Sequence, residues 1–228
     1  NLKYDYQLVD NKEKMAVLSE KLLAQKFFSL DTETTGIDPI TAELVGMSFS
    51  FAENQAFYVP VPANREEALT IVNIFKPAFE NPDSLKIGQN IKYDLIMLAN
   101  YGVTLKGKMF DTMIAHYVLQ PELRHGMDYL AEIYLKYETI KIEELIGAKG
   151  KKQGNMRDLA PEAVYKYACE DADVTLKLKQ VLGNELETNG VKKLFEEIEM
   201  PLVPVLAYME RNGVRIDTEA LKETSRHF

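Results

Sequence analysis

The chain has 228 residues, of which 46% are hydrophobic and 27% charged, and its net charge is −8. This size and balance fit one globular domain with part of a second, and they exclude a chain that is disordered throughout. The negative charge argues against duplex binding driven by charge alone, and no apolar run approaches the roughly 20 residues of a membrane-spanning helix. The single Cys169, with three histidines in the whole chain, excludes an internal disulfide and a zinc site of the Cys/His kind. Because the chain does not begin with Met, we expect it to be a piece of a longer protein.

The first 60 residues predict mainly strands. A short strand over 6–9 and a helix over about 12–23 precede an apolar run at 27–31, which is short enough for a buried strand. Residues 43–51 alternate, which places four apolar side chains on one face of a second strand: Val45, Met47, Phe49 and Phe51. A third strand at 57–59 ends at Pro60. The short connections between these three strands predict an antiparallel meander.

From residue 65 onward the pattern changes to helices. One apolar helical face is formed by Ala68, Ile71, Val72, Phe75 and Phe79. Residues 85–88 predict another strand, and a helix over 91–101 stops at Gly102. Further helices are predicted over 112–119, 127–135, 161–186 and 191–211. Pro201 and Pro204 should bend or restart the last of them. Residues 149–155 predict a solvated loop, since they lack the GK[ST] ending of a phosphate-binding loop. Together the elements predict an α/β fold with a mixed sheet, antiparallel strands first and parallel ones after, flanked by helices.

Two acidic segments are candidates for chemistry. Asp31 and Glu33 lie two positions apart on a buried strand, so both carboxylates project from the same face at its end. Residues 34–36 form a tight exit beside them, and no Lys or Arg lies nearby in sequence. Asp94 falls in the first turn of a helix for which Asn90 is well placed as a cap. The favourable helix dipole alone would explain an acid there.

A third candidate lies on the helix that begins at Pro161. Its apolar stripe has Asp171 in the middle, and Tyr167 one turn earlier faces the same way. Glu170 and Asp173 lie off the stripe and are predicted to be exposed. A buried carboxylate must be paired, protonated or bound to a metal, so a structural ion pair is the alternative for Asp171. For Tyr167 the alternative is a core aromatic.

Convergence of Asp31, Glu33, Asp94 and Asp171 would be costly without a counter-charge. At 4 Å and an effective dielectric near 20, each pair of carboxylates repels by about 4 kcal/mol. Divalent cations offset such repulsion, and hard oxygen ligands select Mg²⁺ or Mn²⁺. The residues therefore predict a divalent-cation site if these segments meet.

Three segments resemble the exonuclease motifs of the DEDD nuclease superfamily: residues 31–33, 90–94 and 167–171. Tyr167 stands where the tyrosine subclass has its tyrosine. The sequence is most similar to the proofreading 3′–5′ exonuclease domains of bacterial family A DNA polymerases, and residues 198–214 resemble the lead-in to the polymerase domain of that family. The resemblance implies a ribonuclease H-like exonuclease domain over 1–190. Residues 191–228 would be the start of a polymerase domain.

The resemblance also implies a mechanism. Asp31, Glu33 and Asp171 would bind one divalent cation, and Asp31 would bridge to a second that Asp94 holds largely through water. Tyr167 would orient the attacking water, and nucleoside 5′-monophosphates would leave the 3′ end of single-stranded or frayed DNA. The residues similar to those that line the strand in this family are Thr34, Gly36, Ile37, Gln89, Asn90, Tyr93 and Arg124. For the last four a purely structural role remains equally open.

Two alternatives to proofreading remain. One is a ribonuclease D-like or helicase-associated 3′ exonuclease on the same fold, which the catalytic residues would not distinguish. The other is an inert scaffold domain of a polymerase, which the presence of all four carboxylates and the tyrosine disfavours. The expected partners are a single-stranded DNA 3′ end and a polymerase domain of the same parent chain, with no membrane. We expect a cytoplasmic monomer.

Overall fold

The computed structural model describes residues 4–150 and 152–227. Outside the described residues lie 1–3 of the first predicted domain, Lys151 of the predicted loop and Phe228 of the second predicted domain. Six strands form one mixed sheet in the described chain. They are β1 (Asp5–Leu8), β2 (Phe27–Thr34), β3 (Leu44–Ala52), β4 (Gln55–Pro60), β5 (Leu85–Gly88) and β6 (Met109–Asp111).

The spatial order of the strands is β1-β4-β3-β2-β5-β6. Strands β2, β3 and β4 pair antiparallel, which confirms the predicted meander. Strand β1 lies parallel to β4, and β5 and β6 extend the sheet beyond β2 with parallel pairing. The mixed-sheet α/β class is therefore confirmed. Strand β6 was not predicted, because three residues are too few for an alternating pattern.

Ten α-helices surround the sheet in the described residues. They are α1 (Lys12–Leu23), α2 (Arg65–Phe79), α3 (Ile91–Asn100), α4 (Thr112–Leu119), α5 (Met127–Leu130), α6 (Ile142–Ile146), α7 (Pro161–Thr188), α8 (Lys192–Leu194), α9 (Met200–Asn212) and α10 (Thr218–His227). A π-helical turn over Ala131–Leu135 continues α5, and another over Phe195–Glu199 joins α8 to α9. Helix α6 was not predicted. None of the described helices has the length and apolar content to cross a membrane.

The two faces of β2 pack against different helices. On one face, Phe28 contacts Phe49 of β3, whose ring stacks on Phe75 of α2 at a centroid distance of 5.3 Å. On the other face, the Ser29 hydroxyl donates a hydrogen bond to the Ala172 carbonyl of α7 at 2.7 Å. Because alternate side chains of a strand share a face, Asp31 and Glu33 point with Ser29 towards α7.

A β-bulge on β3, opposite the end of β2, changes one sequence-based expectation. The β2–β3 register shifts between Glu33 and Thr34, which pair with Gly46 and Leu44, so Val45 is the extra residue. Val45 therefore leaves the predicted face and packs in a smaller cluster with Tyr58. A Cβ on Gly46 would lie 2.3 Å from the Tyr58 ring, so only glycine allows this close approach. Bulges of this kind commonly adjust side chains next to active sites.

The C-terminal helices pack on the same core as the preceding residues. Phe195, Met200 and Val203 are buried in the main hydrophobic cluster, and Lys92 of α3 forms an ion pair with Glu210 of α9. The winding changes from π to α at Met200, one residue before Pro201. Pro204 lies within α9 without ending it. The helix is therefore restarted beside one proline and continues through the other.

Candidate active site

Three carboxylates meet where β2 faces the middle of α7. One oxygen each of Asp31, Glu33 and Asp171 lies within 4.8 Å of the other two. Glu33 and Asp171 are buried, whereas Asp31 is partly exposed. Buried apolar side chains on α7 fix this register: Val164, Ala168, Val174, Leu178 and Leu182. The strand pair and the helical acid singled out from the sequence thus form one site.

No positive side chain neutralises this cluster in the described part of the chain. Neither the three carboxylates nor Asp94 forms an ion pair with a Lys, Arg or His. The Glu33 Oε1 atom is buried and has no hydrogen-bond partner among the described residues. A buried acceptor without a partner costs about 1–3 kcal/mol, and more if it is charged. The structural ion pair considered for Asp171 is therefore absent from the described residues.

Burial raises the pKa values of these carboxylates, and repulsion from neighbouring acids raises those of Glu33 and Asp171 further. Burial raises the pKa of Asp31 to about 6. The pKa of Glu33 is raised well above its usual value by burial, and further by the charges of Asp31 and Asp94. The pKa of Asp171 is raised by burial and then by Asp31 and Glu33. A divalent cation could offset the repulsion among these acids, and oxygen donors fit a hard ion of this kind.

Asp94 lies beside this group but is not one of the three mutually close carboxylates. It sits in the first turn of α3, where it is buried, and its Oδ1 accepts a hydrogen bond from the Thr32 hydroxyl at 2.6 Å. Its pKa is raised by burial and by the charge of Asp31, against the lowering effect of Thr32. The structure therefore brings the fourth acid next to the cluster, bonded to the residue between Asp31 and Glu33.

The start of α3 is capped differently from the prediction. Asn90 occupies the N-cap position with a φ of 58°, but its side chain makes no capping hydrogen bond. Instead, Asp111 at the end of β6 accepts from the backbone amides of Ile91 at 2.8 Å and Asn90 at 3.2 Å. The same carboxylate caps α4. Sequence reasoning missed Asp111, although an acid directly before a predicted helix is a capping signal.

Tyr167 lies on α7 one turn before Asp171. Its pKa is raised by burial and then by the charges of Asp171, Glu33 and Asp31. The phenol therefore stays protonated at neutral pH and acts as a hydrogen-bond donor, not as a base. Tyr167 also packs against the cluster that contains Val45 and Tyr58.

The two acids predicted to be exposed on α7 are both buried, so that prediction was wrong. Glu170 accepts hydrogen bonds from the Tyr137 hydroxyl and from the Ile140 amide, the latter at 2.6 Å. Asp173 pairs with Lys177 at 2.7 Å. Both acids lie off the apolar stripe of α7, which is why exposure was predicted. They are covered by other segments of the chain, and such contacts leave no periodic pattern in the helix sequence.

The predicted strand-lining residues fall into two groups. Thr34, Gly36 and Tyr93 form one network, in which the Thr34 and Tyr93 hydroxyls are 2.5 Å apart and each lies within hydrogen-bonding distance of the Gly36 carbonyl. Since each hydroxyl has one proton, one of them donates to the other and the second donates to the carbonyl. Ile37, next in the chain, is 98% exposed. In the second group, Gln89 donates to the His125 carbonyl at 2.7 Å. The guanidinium of the neighbouring Arg124 lies 4.8 Å from the centre of the Tyr129 ring.

Comparison with solved structures shows which proteins share this fold. The chain superimposes on NrnC from Brucella melitensis with a TM-score of 0.72 at 21% identity, covering 93% of this chain and 95% of that one. It matches the structure of Pol1 from M. smegmatis with a TM-score of 0.71 at 20% identity, over 95% of this chain and 34% of that one. The catalytic core of RRP6 from Trypanosoma brucei gives a TM-score of 0.66 at 18% identity, over 89% of this chain and 55% of that one. The predicted ribonuclease H-like fold is thereby confirmed.

The fold and the carboxylate cluster are those of a nuclease that uses divalent metal ions. The family model described as 3′-5′ exonuclease matches residues 6–187, and this chain belongs to that family. DNA polymerase I of Pseudomonas aeruginosa is 41% identical over 97% of the chain, and that of Borreliella burgdorferi is 37% identical over 95%. The chain spans about a quarter of the length of these two relatives, 25% and 24%.

Proposed function

We propose that this domain removes nucleoside 5′-monophosphates from single-stranded or frayed DNA 3′ ends with two divalent cations, Mg²⁺ or Mn²⁺. It would act as the proofreading exonuclease of a DNA polymerase I. One observation carries the proposal: the oxygens of Asp31, Glu33 and Asp171 lie within 4.8 Å of one another, with no positive side chain paired to them in the described residues.

The donor set fits the proposed cations. Asp31, Glu33 and Asp171 would hold one of them, and the unpartnered Glu33 Oε1 is an oxygen in need of such a partner. Asp31 would be shared with a second cation, which Asp94 would hold through water. Bound divalent cations supply an activated water for attack on phosphorus and neutralise charge on the leaving 3′ oxygen. Their positive charge also makes an anionic substrate compatible with a chain of net charge −8.

Tyr167 would orient the attacking water. Its raised pKa supports donation of a hydrogen bond, because the phenol keeps its proton at the pH where the enzyme works. As a donor it can fix one lone pair of the water and leave the other free for phosphorus.

The surface beside the carboxylates would hold the last nucleotides. Ile37 presents an almost fully exposed apolar side chain, which can stack on any base. Thr34 and Tyr93 hold the Gly36 carbonyl behind it. Asn90, Gln89 and Arg124 would contact the strand further from the cleaved bond. An apolar contact without base-edge hydrogen bonds suits an enzyme that removes whichever nucleotide is unpaired.

The proposed partner is a polymerase domain of the same parent chain, as in the DNA polymerase I relatives. Residues 1–190 would be the exonuclease domain and 191–228 the start of the next. Helix α9 supports this assignment. Some of its apolar side chains are buried on the core, but four are exposed: Leu202, Val205, Leu206 and Met209. We propose that a polymerase domain covers them. The molecule would work as a monomer in the cytoplasm, where bacterial DNA is replicated.

End-labelled single strands test the proposal. The domain should shorten DNA from its 3′ end in Mg²⁺ or Mn²⁺, release 5′-monophosphates, and stop on addition of chelator. The Asp31→Ala variant should be inactive in the same assay, and full activity of that variant would overturn the proposal.

Two further outcomes would favour the alternatives. Degradation of RNA alone, when DNA and RNA of one sequence are compared, would support a ribonuclease D-like enzyme. A melting temperature that Mn²⁺ does not change, in a domain that cleaves neither substrate, would support an inert scaffold.

A further inference from the structure

Two histidines outside the carboxylate cluster are hydrogen-bonded to each other. His116 on α4 is fully buried, and its Nδ1 lies 2.7 Å from the Nδ1 of His125 in the loop between α4 and α5. The Tyr134 ring meets the His116 ring edge-on at a centroid distance of 5.7 Å. His116 Nε2 is buried without a hydrogen-bond partner among the described residues. Among the described residues, the contact with His125 is therefore the hydrogen bond that the His116 ring makes.

That contact fixes the loop next to the proposed DNA strand. The His125 carbonyl accepts the Gln89 side-chain amide at 2.7 Å, and Gln89 in turn accepts a hydrogen bond from Thr112 at the start of α4. Gln89 directly follows β5 and precedes the turn into α3. His125 is thus held twice, by its ring and by its carbonyl, and it directly follows Arg124.

We propose that His116 is a positioning residue for the DNA strand, because it fixes His125 and through it the backbone from which Arg124 reaches the substrate. This inference rests on the proposed function. His116 touches no reacting atom, so its loss should weaken substrate binding and leave the chemical step intact. A histidine that only fills the core would instead affect stability without changing the affinity for DNA.

The hydrogen bond joins two ring nitrogens, one of which donates its proton to the other. Burial lowers the pKa of His116, as does the facing His125, so the buried ring is neutral. A hydrogen-bonding group at the Nδ1 position is therefore what a substitution must keep in order to preserve the loop.

Three variants of His116 separate positioning from packing. In His116→Asn the side-chain amide can take the place of Nδ1, whereas in His116→Gln the amide reaches the place of Nε2, and His116→Leu has no hydrogen-bonding group. We expect His116→Leu and His116→Gln to raise KM for single-stranded DNA about two- to tenfold, with kcat within about twofold of wild type. The KM of His116→Asn should be close to that of wild type.

A double-mutant cycle with Arg124→Gln tests the route. If His116 acts through Arg124, the KM of the double variant His116→Leu/Arg124→Gln should exceed that of wild type by less than the product of the two single effects. Equal KM values for wild type and His116→Leu, a fall in kcat alone, or fully multiplicative effects would each overturn the positioning role. If His116→Leu lost its cooperative melting transition, His125→Asn and His125→Gln would be compared in the same way.

Fluorescence anisotropy of single-stranded DNA in chelator distinguishes the two proposals. The affinities of the variants should follow their KM values without any cleavage. A wild-type domain that neither binds nor cleaves DNA would overturn the proposed function and this inference together. A wild-type domain that cleaves DNA, with unchanged binding in His116→Leu, would overturn the positioning role alone.

Discussion

The Thr32 hydroxyl donates a hydrogen bond of 2.6 Å to Oδ1 of Asp94. Thr32 stands between Asp31 and Glu33, so one three-residue stretch of β2 presents two carboxylates to α7 and orients a third on α3. Thr32 therefore separates two acids in the sequence and also binds a third through its hydroxyl. It orients Asp94, which is not one of the three mutually close carboxylates.

Thr32→Val removes this hydrogen bond with little change in shape. Removing a hydrogen-bond partner of a metal ligand typically lowers activity or metal affinity by about 10- to 100-fold. We expect Thr32→Val to lower the exonuclease rate by a factor of that order. The measurement is the exonuclease rate as a function of Mg²⁺ concentration, which should show a weaker apparent affinity for the metal. Thr32→Ser keeps the hydroxyl and serves as the control. A rate for Thr32→Val equal to wild type at all concentrations would contradict this role.

Asp171→Asn should abolish cleavage and stabilise the metal-free protein. The substitution keeps the shape of the side chain and removes one charge from a group of buried acids that repel one another. Each kcal/mol of relief should raise the melting temperature by about 2–4 °C in a domain of this size. Thermal melting in chelator measures the effect, and Glu53→Gln, an exposed acid in the β3–β4 turn, is the control. A lower melting temperature for Asp171→Asn would argue against repulsion.

The stability of the metal-free domain should depend on pH through Asp31. The folded-state pKa of about 6 lies above the value near 4 expected in the unfolded chain. The folded state therefore binds this proton more tightly, and its stabilising effect is complete below pH 4 and lost as the pH rises through 6. Melting temperatures measured from pH 4 to 8 should show this loss in wild type and a smaller one in Asp31→Asn. Identical melting profiles for wild type and Asp31→Asn would contradict this role of Asp31. Added Mn²⁺ should raise the melting temperature of wild type most near pH 8.

Tyr167→Phe should retain weak activity. The ring still packs against the cluster that contains Val45 and Tyr58, so the melting temperature should change little, but the hydroxyl that orients the water is lost. We expect kcat to fall by about 10- to 100-fold, with KM nearly constant. Tyr165→Phe, two residues earlier on the same helix, should behave as wild type. Loss of all activity would indicate a larger role than positioning, and an unchanged kcat would indicate none.

Ile37→Ser should weaken the hold on the last nucleotide. Stacking of a base on a side chain is worth about 1–3 kcal/mol, and an isoleucine without a π-system should contribute at the low end, so KM should rise about fivefold. Steady-state kinetics on short single strands measures it. Val214→Ser, another strongly exposed apolar residue at 85% in the segment after α9, should leave KM unchanged. Equal effects of the two changes would indicate a general effect of surface polarity.

The sequence by itself determined most of the fold and the identity of the acids. Alternation and helical spacing predicted β3, β5, α1, α4 and α7 closely, because each has a buried face that must repeat with the period of its element. Asp31, Glu33 and Asp171 stood out for the same reason, as charges on faces that ought to be apolar. Their resemblance to known nuclease motifs then pointed to a shared site.

Other features depended on contacts between distant parts of the chain. The capping of α3 by Asp111, the burial of Glu170 and Asp173 and the His116–His125 hydrogen bond join segments whose own patterns give no sign of the partner. The bulge that turns Val45 away from its predicted face is likewise a property of two paired strands. Local periodicity tells which side of an element is buried. Only the tertiary structure decides which polar groups meet there, because a hydrogen bond depends on the position of both partners to within a few tenths of an ångström.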